Sequence, residues 1–243
     1  MPTPFLAGNW KMFGTRAGAR RLAEKVAAAT GPGARVAVFP PFVHLSEVAA
    51  VLKGTPVALG AQDCFWEAEG PYTGETSPAM LADLGCRHVL VGHSERRHVL
   101  GETDATVARK LRAALKAGLD PLLCVGETLA QREANQTGTV LKTQLTQAIA
   151  GLSAPELARV TVAYEPVWAI GTGKVASPAQ AREAHATLRA AGAGALTILY
   201  GGSAKPDNLA GLLAEPGIDG ALVGGASLDA AAFAAMLRTA ATR

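Results

Sequence analysis

Eight short apolar runs recur along the chain of 243 residues, and segments with helix or turn composition separate them. Most of these runs are continuously apolar rather than alternating, which is typical of strands buried on both faces of a parallel sheet. Strand and helix alternating eight times over this length predict an α/β fold, and no linker divides residues 1–243, so we expect a single domain. The predicted strands cover 5–10, 35–39, 57–63, 88–92, 119–125, 160–164, 197–201 and 219–224.

Helix signals fall between the predicted strands. Apolar residues between 107 and 115 repeat at helical spacing, residues 153–156 have capping-box spacing, and the Ser-Pro pairs at 77–78 and 177–178 are typical of a helix start. An open doubly wound sheet would use the same elements, but it seldom contains eight evenly spaced strands without an antiparallel edge. We therefore predict a closed eight-stranded parallel (β/α)8 barrel, with its active site at the carboxyl ends of the strands.

Charge and cysteine content exclude several classes of protein. The 23 basic and 20 acidic residues give a net charge of +3 that is spread along the chain, which fits an anionic small-molecule ligand better than nucleic acid. The longest uncharged stretch, 190–204, is too short to span a membrane, and the first ten residues lack a signal-peptide pattern. Cys64, Cys86 and Cys124 lack the spacing of a disulfide framework or a zinc knuckle, so we expect a reducing, cytoplasmic location.

Asn9 and Lys11 stand at the end of the first predicted strand. A lysine there is either a solvated loop charge or, in a barrel, a cation at the mouth that holds an anionic substrate. Asn9 would be its polar neighbour in the same mouth.

His93 ends the fourth predicted strand, at the start of a helix that Ser94 or Glu95 would cap. The positive end of that helix predicts a lowered pKa for His93, so that a neutral imidazole could donate a hydrogen bond to a carbonyl. His93 and His98 do not have the spacing of a zinc motif, and we expect no metal.

Glu165 ends the sixth predicted strand, and eight uncharged residues follow it. A carboxylate covered by apolar residues predicts a raised pKa, which suits a general base. The apolar, glycine-containing segment after it is typical of a lid rather than of a plain surface loop. Partial matches to a P-loop and to a dinucleotide fingerprint in this segment are incomplete, and we reject both. The predicted lid residues are Pro166, Trp168, Ile170, Gly171, Gly173 and Lys174.

Glycines cluster at the ends of the seventh and eighth predicted strands, in Gly201-Gly202-Ser203 and Gly224-Gly225. They could be simple tight turns. Barrels of this type, however, frequently bind phosphate through the loops after these two strands, and backbone N–H groups need glycine for close approach. The pattern therefore indicates a phosphate site.

Five motifs resemble those of the triosephosphate isomerase family, in the same order and over nearly the whole chain: AGNWKM (7–12), GHSERR (92–97), YEPVWAIGTGK (164–174), YGGS (200–203) and LVGGASL (222–228). The resemblance implies a TIM barrel that interconverts dihydroxyacetone phosphate and D-glyceraldehyde 3-phosphate in glycolysis and gluconeogenesis, without a cofactor.

The resemblance also implies a role for each matching residue. Glu165 would be the proton acceptor, His93 the electrophile, Lys11 the fixed positive charge paired with Glu95, and Asn9 a positioning group. Ile170 and Leu222 would close over Glu165. Backbone N–H groups would bind the phosphate of the substrate at Gly171, Ser203, Gly224 and Gly225.

Few positions depart from the family pattern. Phe13 stands where a polar residue is common, Val175 replaces a hydroxyl residue at the second lid hinge, and the segment 189–200 is short. Asp63 stands where an amide is expected, and we expect it to change a hydrogen bond near Lys11.

Two other functions fit a barrel of this size. A phosphosugar-binding protein would need neither a base nor an electrophile, which argues against that alternative. Another barrel isomerase, acting on larger phosphorylated intermediates, would fit poorly with an apolar lid one residue after the base.

The segment 64–76 carries Phe65, Trp66 and Tyr72, which would be costly in water on a surface loop. It could fold back on its own barrel. The resemblance favours a homodimer, in which this loop docks beside the partner's active site and brings Thr73 near the partner's Asn9 and Lys11.

Overall fold

The computed structural model describes residues 3–171 and 175–243, and its eight strands form a closed parallel barrel in sequence order. Pairing of Phe5 with Gly220 and of Ala7 with Leu222 joins the first strand to the last. The predicted closed barrel is therefore confirmed, and the open sheet was the wrong alternative. The strands are β1 (Phe5–Asn9), β2 (Arg35–Phe39), β3 (Val57–Ala61), β4 (His88–Val91), β5 (Asp120–Val125), β6 (Thr161–Tyr164), β7 (Thr197–Tyr200) and β8 (Gly220–Val223).

Helices connect the strands on the outside of the barrel. Within the described ranges the α-helices are α1 (Arg16–Ala29), α2 (Leu45–Leu52), α3 (Pro78–Asp83), α4 (Ser94–His98), α5 (Asp104–Lys116), α6 (Leu129–Glu133), α7 (Thr137–Ile149), α8 (Ala154–Leu157), α9 (Pro178–Leu188), α10 (Leu209–Ala214) and α11 (Ala230–Ala241). None of the helices in these ranges is long and apolar enough to cross a membrane.

The predicted helix signals act as expected. Ser77 and Ser177 accept hydrogen bonds from backbone N–H groups at the starts of α3 and α9, and Ser153 forms a capping box with Glu156. The face of α5 that carries Val107 is buried. After α9 a π-helical turn (Arg189–Ala193) with Gly192 at φ 128° is followed by only three residues before β7, in keeping with the short segment before that strand.

Side chains of the strands alternate between two cores. Phe5 and Ala7 of β1 point into the barrel, while Leu6 packs under the helices. Gly60 is required by the inner core, because a Cβ at this position would lie 2.3 Å from the ring of Phe39.

Most of the predicted strands run one or two residues further than the observed ones at their carboxyl ends. Trp10, the 62–63 pair and Gly92 lie just beyond the last residues of the observed strands. At this edge the chain leaves the barrel and forms the loops of the mouth, where the predicted site residues lie.

Candidate active site

A cavity of about 610 Å³ opens at the carboxyl ends of the strands. Residues from the ends of β1, β4, β6, β7 and β8 line it together, although up to 216 positions separate them in the chain. Of the predicted site residues, those lining this cavity are Asn9, Lys11, His93, Glu165, Ile170, Gly171, Ser203, Leu222, Gly224 and Gly225.

Lys11 is fixed from several sides. Its backbone has a φ of 50°, an unusual value for a residue other than glycine, and its N–H donates to Oδ1 of Asn9 at 2.9 Å. Gln62 donates from Nε2 to the carbonyl oxygen of Lys11 at 2.8 Å. The Lys11 ammonium pairs with Oε1 of Glu95 at 2.5 Å, so Glu95 acts on the cavity through Lys11 and does not line it.

Gln62 is a contact that the sequence did not single out. It follows β3 beside Asp63, and the side-by-side pairing of β1, β2 and β3 brings it to Lys11. Asp63 is the reverse case, because the prediction that it acts near Lys11 is wrong. Its carboxylate instead contacts Lys110 Nζ at 2.7 and 2.8 Å and Arg96 Nη2 at 3.0 Å.

His93 occupies the N-cap of α4, and its own ring makes the cap. Nδ1 accepts a hydrogen bond from the N–H of Glu95 at 3.3 Å, so the prediction that Ser94 or Glu95 is the cap is wrong. In the neutral ring this leaves the proton on Nε2, which faces the cavity. Nε2 lies 3.3 Å from Nδ2 of Asn9 and 3.0 Å from Oε1 of Glu165.

Glu165 is only 2% exposed, and both of its carboxylate oxygens have partners. Oε1 contacts His93, and Oε2 accepts a hydrogen bond from the N–H of Ser94 at 2.7 Å. Two glycines make room for this residue. A Cβ at Gly126 would lie 1.7 Å from the carbonyl oxygen of Glu165, and a Cβ at Gly201 would lie 2.8 Å from its Cγ.

Contact between Glu165 and His93 reverses both pKa predictions made from the sequence. Burial raises the pKa of Glu165. Attraction to His93 and the hydrogen bond from Ser94 together lower this pKa by more than burial raises it, so it lies below its ordinary value. Burial likewise lowers the pKa of His93, but the charge of Glu165 outweighs burial, so the pKa of His93 is raised. The sequence predicted the opposite directions because it did not reveal the direct contact.

The first part of the predicted lid is tied to the end of β5. Val167 to Ala169 form a single 3₁₀ turn, where the N–H of Val167 donates to the carbonyl oxygen of Glu127 at 3.1 Å. Trp168 faces away from the cavity, and its Nε1 donates to Oε1 of Glu127 at 2.9 Å. Ile170 and Gly171 face the cavity. The predicted lid residues Gly173 and Lys174 lie outside the described residues.

The glycine-rich ends of β7 and β8 form one wall of the cavity, with Phe13 at its edge. A Cβ at Gly202 would lie 2.2 Å from the hydroxyl of Tyr200, and a Cβ at Gly224 would lie 3.2 Å from Cε of Lys11. Because Gly224 has no side chain, its backbone lies close to Lys11. Backbone N–H groups beside an ammonium group form an arrangement suited to binding an anion.

Carboxylate, imidazole and ammonium groups that converge beside such a wall define a barrel enzyme that transfers protons on small anionic substrates. Comparison with known proteins narrows this class. The family model described as triosephosphate isomerase matches residues 4–240. The chain belongs to the triosephosphate isomerase family, whose members are isomerases.

Curated relatives named triosephosphate isomerase cover the chain almost completely. The protein of Trichlorobacter lovleyi is 52% identical over 248 residues, which cover 98% of this chain and 99% of the relative. That of Pelobacter propionicus is 51% identical over 98% of both chains, and that of Roseiflexus sp. is 52% identical over 96% of both.

Proposed function

We propose that the cavity at the barrel mouth interconverts dihydroxyacetone phosphate and D-glyceraldehyde 3-phosphate through an enediolate, with Glu165 as the base. The observation that carries this proposal is the buried contact between Glu165 and His93, 3.0 Å long, in the cavity that Lys11 and the glycine-rich wall share. A carboxylate can take a proton from one carbon of the substrate and return it to the neighbouring carbon.

His93 and Lys11 would stabilise the negative charge that develops on the substrate oxygens. The Nε2–H of a neutral His93 donates to the carbonyl oxygen, and the Lys11 ammonium, held by Glu95, supplies a fixed positive charge. Asn9 supports both residues, because its side chain contacts the His93 ring and accepts from the Lys11 N–H.

Glu165 must leave His93 and Ser94 before it can reach a substrate carbon, because both of its oxygens are engaged in this arrangement. Separation removes the attraction that lowers its pKa and leaves burial as the main influence. The same step removes the charge that raises the pKa of His93. Substrate binding would thus convert the pair into a stronger base and a neutral hydrogen-bond donor.

Closure of the lid would complete the site. Ile170 and Leu222 both line the cavity that contains Glu165, so their approach to each other would exclude water from the base. The N–H of Gly171 would join those of Ser203, Gly224 and Gly225 on the phosphate of the substrate. Exclusion of water would also protect an enediolate from losing its phosphate group.

We further propose that the chain is a cytoplasmic, single-domain protein that forms a homodimer through residues 64–76. Phe65 stacks on Trp66 at 4.0 Å and packs on Tyr72 at 4.7 Å, so the loop presents a preformed aromatic cluster. A cavity of about 410 Å³ beside Lys11 and Glu95 could receive the partner's loop. Its rim is apolar and open, with Met12 93% exposed and Val43 83% exposed. The three free, buried cysteines are consistent with a reducing compartment.

A coupled assay in D₂O tests the proposed reaction. We expect turnover of D-glyceraldehyde 3-phosphate to dihydroxyacetone phosphate that carries deuterium beside the carbonyl, because a carboxylate base exchanges its proton with solvent. Saturable binding of the substrate without turnover would instead identify a phosphosugar-binding protein. Turnover with complete retention of the substrate hydrogen would contradict the role of Glu165.

A further inference from the structure

Trp168 rests on side chains that follow β5, on the side of the lid that faces away from the substrate cavity. In addition to the hydrogen bond from its indole to Glu127, its ring lies under the guanidinium of Arg132, 4.7 Å from the ring centre to Cζ. Nη1 of Arg132 is also 3.3 Å from the same Glu127 oxygen. Arg132 therefore contacts both the lid residue and its anchor.

Glu127 requires such a partner because its carboxylate is completely buried. Its Oε1 accepts hydrogen bonds from Tyr164 at 3.1 Å and from Trp168, and Arg132 supplies the positive charge. Arg132 is held in place by α6, a short helix whose start is fixed by a capping box between Thr128 and Gln131. Arg132 therefore belongs to a helix with a fixed start, whereas Trp168 belongs to the lid and contacts Glu127 and Arg132 only through its side chain.

Arg132 and Trp168 also line a cavity of about 680 Å³ between α6, α7 and α9. The wall of this cavity is mixed in character and includes the polar residues Gln180 and Glu183, while the indole also packs against the main apolar core. The contacts with Glu127 and Arg132 act together with this packing to hold Trp168 in its position.

We infer that Arg132 is a positioning residue that holds Trp168 and thereby sets the equilibrium between the lid conformation described here and the closed one. The inference rests on the proposed closure of the lid. Ile170 and Gly171 follow Trp168 by two and three residues, so a movement that carries them onto the substrate displaces the turn that bears the indole. If the contacts of Trp168 with Glu127 and Arg132 exist only before this movement, they stabilise the open lid relative to the closed lid by the free energy of those contacts.

Removal of Arg132 should therefore make closure easier. We expect Arg132→Met to bind 2-phosphoglycolate about threefold more tightly, which is the size of an exposed cation–π contact. Both kcat and KM should fall, because a lid that closes more easily also opens less readily to release product. Arg132→Lys retains a positive charge over the ring and should behave much more like the unmodified protein.

The test measures the affinity for 2-phosphoglycolate by calorimetry and its dissociation rate by stopped-flow Trp168 fluorescence, in a background where Trp10 and Trp66 are phenylalanine. Arg35→Met is the matched control, because Arg35 covers the ring of Phe5 at 4.6 Å at the opposite end of the barrel. Tighter binding and slower release in Arg132→Met, with no change in the control, would support the inference. Unchanged or weaker binding in Arg132→Met would overturn it, since a merely structural role lowers stability and activity without raising affinity.

Failure of the underlying closure is distinguishable from failure of the inference. If 2-phosphoglycolate binds to the background protein without changing Trp168 fluorescence, the lid does not close on this ligand. That result would contradict both the proposed closure of the lid and the role of Arg132. If the fluorescence changes but Arg132→Met shows no gain in affinity, only the role of Arg132 is contradicted.

Discussion

Nε2 of His93 lies 3.0 Å from Oε1 of Glu165, so the proposed electrophile and the proposed base contact each other directly. Each changes the pKa of the other, which is raised for His93 and lowered for Glu165. A substrate that separates them reverses both influences. Much of the chemistry proposed for this site depends on that exchange of partners.

The first prediction concerns the pKa of His93. Without ligand, NMR titration of the labelled imidazole should give a pKa above the ordinary value of ~6.5, and with 2-phosphoglycolate bound a pKa below it. Glu165→Gln should lower the pKa of His93 even without ligand, because the neighbouring charge is gone. A pKa that does not respond to the ligand or to this substitution would contradict the coupling.

Lys11 and Glu95 should differ in their effects although they form one ion pair. Lys11→Met removes the fixed positive charge that we propose acts on the phosphate-bearing substrate, and it should raise KM about tenfold to a hundredfold, as expected for a hydrogen bond to a charged group. Glu95→Gln should raise KM only about twofold to fivefold. Solvent screens this partly exposed ion pair, and Gln62 and Asn9 also hold the backbone of Lys11. Steady-state kinetics measures both effects, and equal increases in KM would contradict this prediction, because they would show that Lys11 cannot act without Glu95.

Two buried histidines should make the fold sensitive to acid. Burial lowers the pKa of His88 and of His185 to about 4, whereas the unfolded chain protonates histidine near ~6.5. Their neutral forms therefore contribute stability that is complete above pH ~6.5 and is lost as the pH falls towards 4, by roughly 3 kcal/mol per histidine.

Denaturant unfolding between pH 7 and pH 4.5 measures this loss. The ring of His88 lies 5.4 Å from that of Phe5 and 6.4 Å from that of Phe39, so His88→Phe fits its surroundings and should remove the part of this loss that His88 contributes. His98→Gln, at an exposed histidine, is the control and should leave the dependence intact. An unchanged slope in His88→Phe would mean that carboxylates account for the acid sensitivity.

The loop 64–76 should hold two protomers together. Shortening residues 66–72 is expected to give a monomer with much lower kcat and lower thermal stability, because the partner's loop would no longer support Lys11. Sedimentation analysis over a range of protein concentrations measures the assembly. A shortened protein that remains a dimer, or a monomer with full activity, would show that the loop folds on its own barrel.

The sequence predicted most of the fold because the relevant signals are local. Apolar runs, Ser-Pro pairs and the capping box at Ser153 depend on neighbours within a few residues, and the barrel follows from their regular repetition. The gathering of site residues was also predictable, because the carboxyl ends of parallel strands meet at one edge.

Apart from the pairing of Lys11 with Glu95, which the family resemblance implied, contacts between individual residues distant in sequence were not predictable. Glu165 meets His93 across 72 positions, Gln62 meets Lys11 across 51, and Asp63 meets Lys110 across 47. No periodicity or spacing encodes such a distance. For this reason the predicted directions of the pKa shifts of Glu165 and His93 were wrong, and so was the predicted role of Asp63. The hydrogen bond of Trp168 to Glu127 was not predicted at all.

The most direct test is the kcat of Glu165→Gln, compared with that of Glu24→Gln, which removes a half-exposed carboxylate on α1 that pairs with Arg20. Glutamine retains the shape of Glu165 but cannot accept the proton, so kcat should fall by about 10²–10⁴-fold or more. The control should retain full activity. A loss of less than about tenfold in Glu165→Gln, with the protein folded and still able to bind 2-phosphoglycolate, would contradict the assignment of Glu165 as the base.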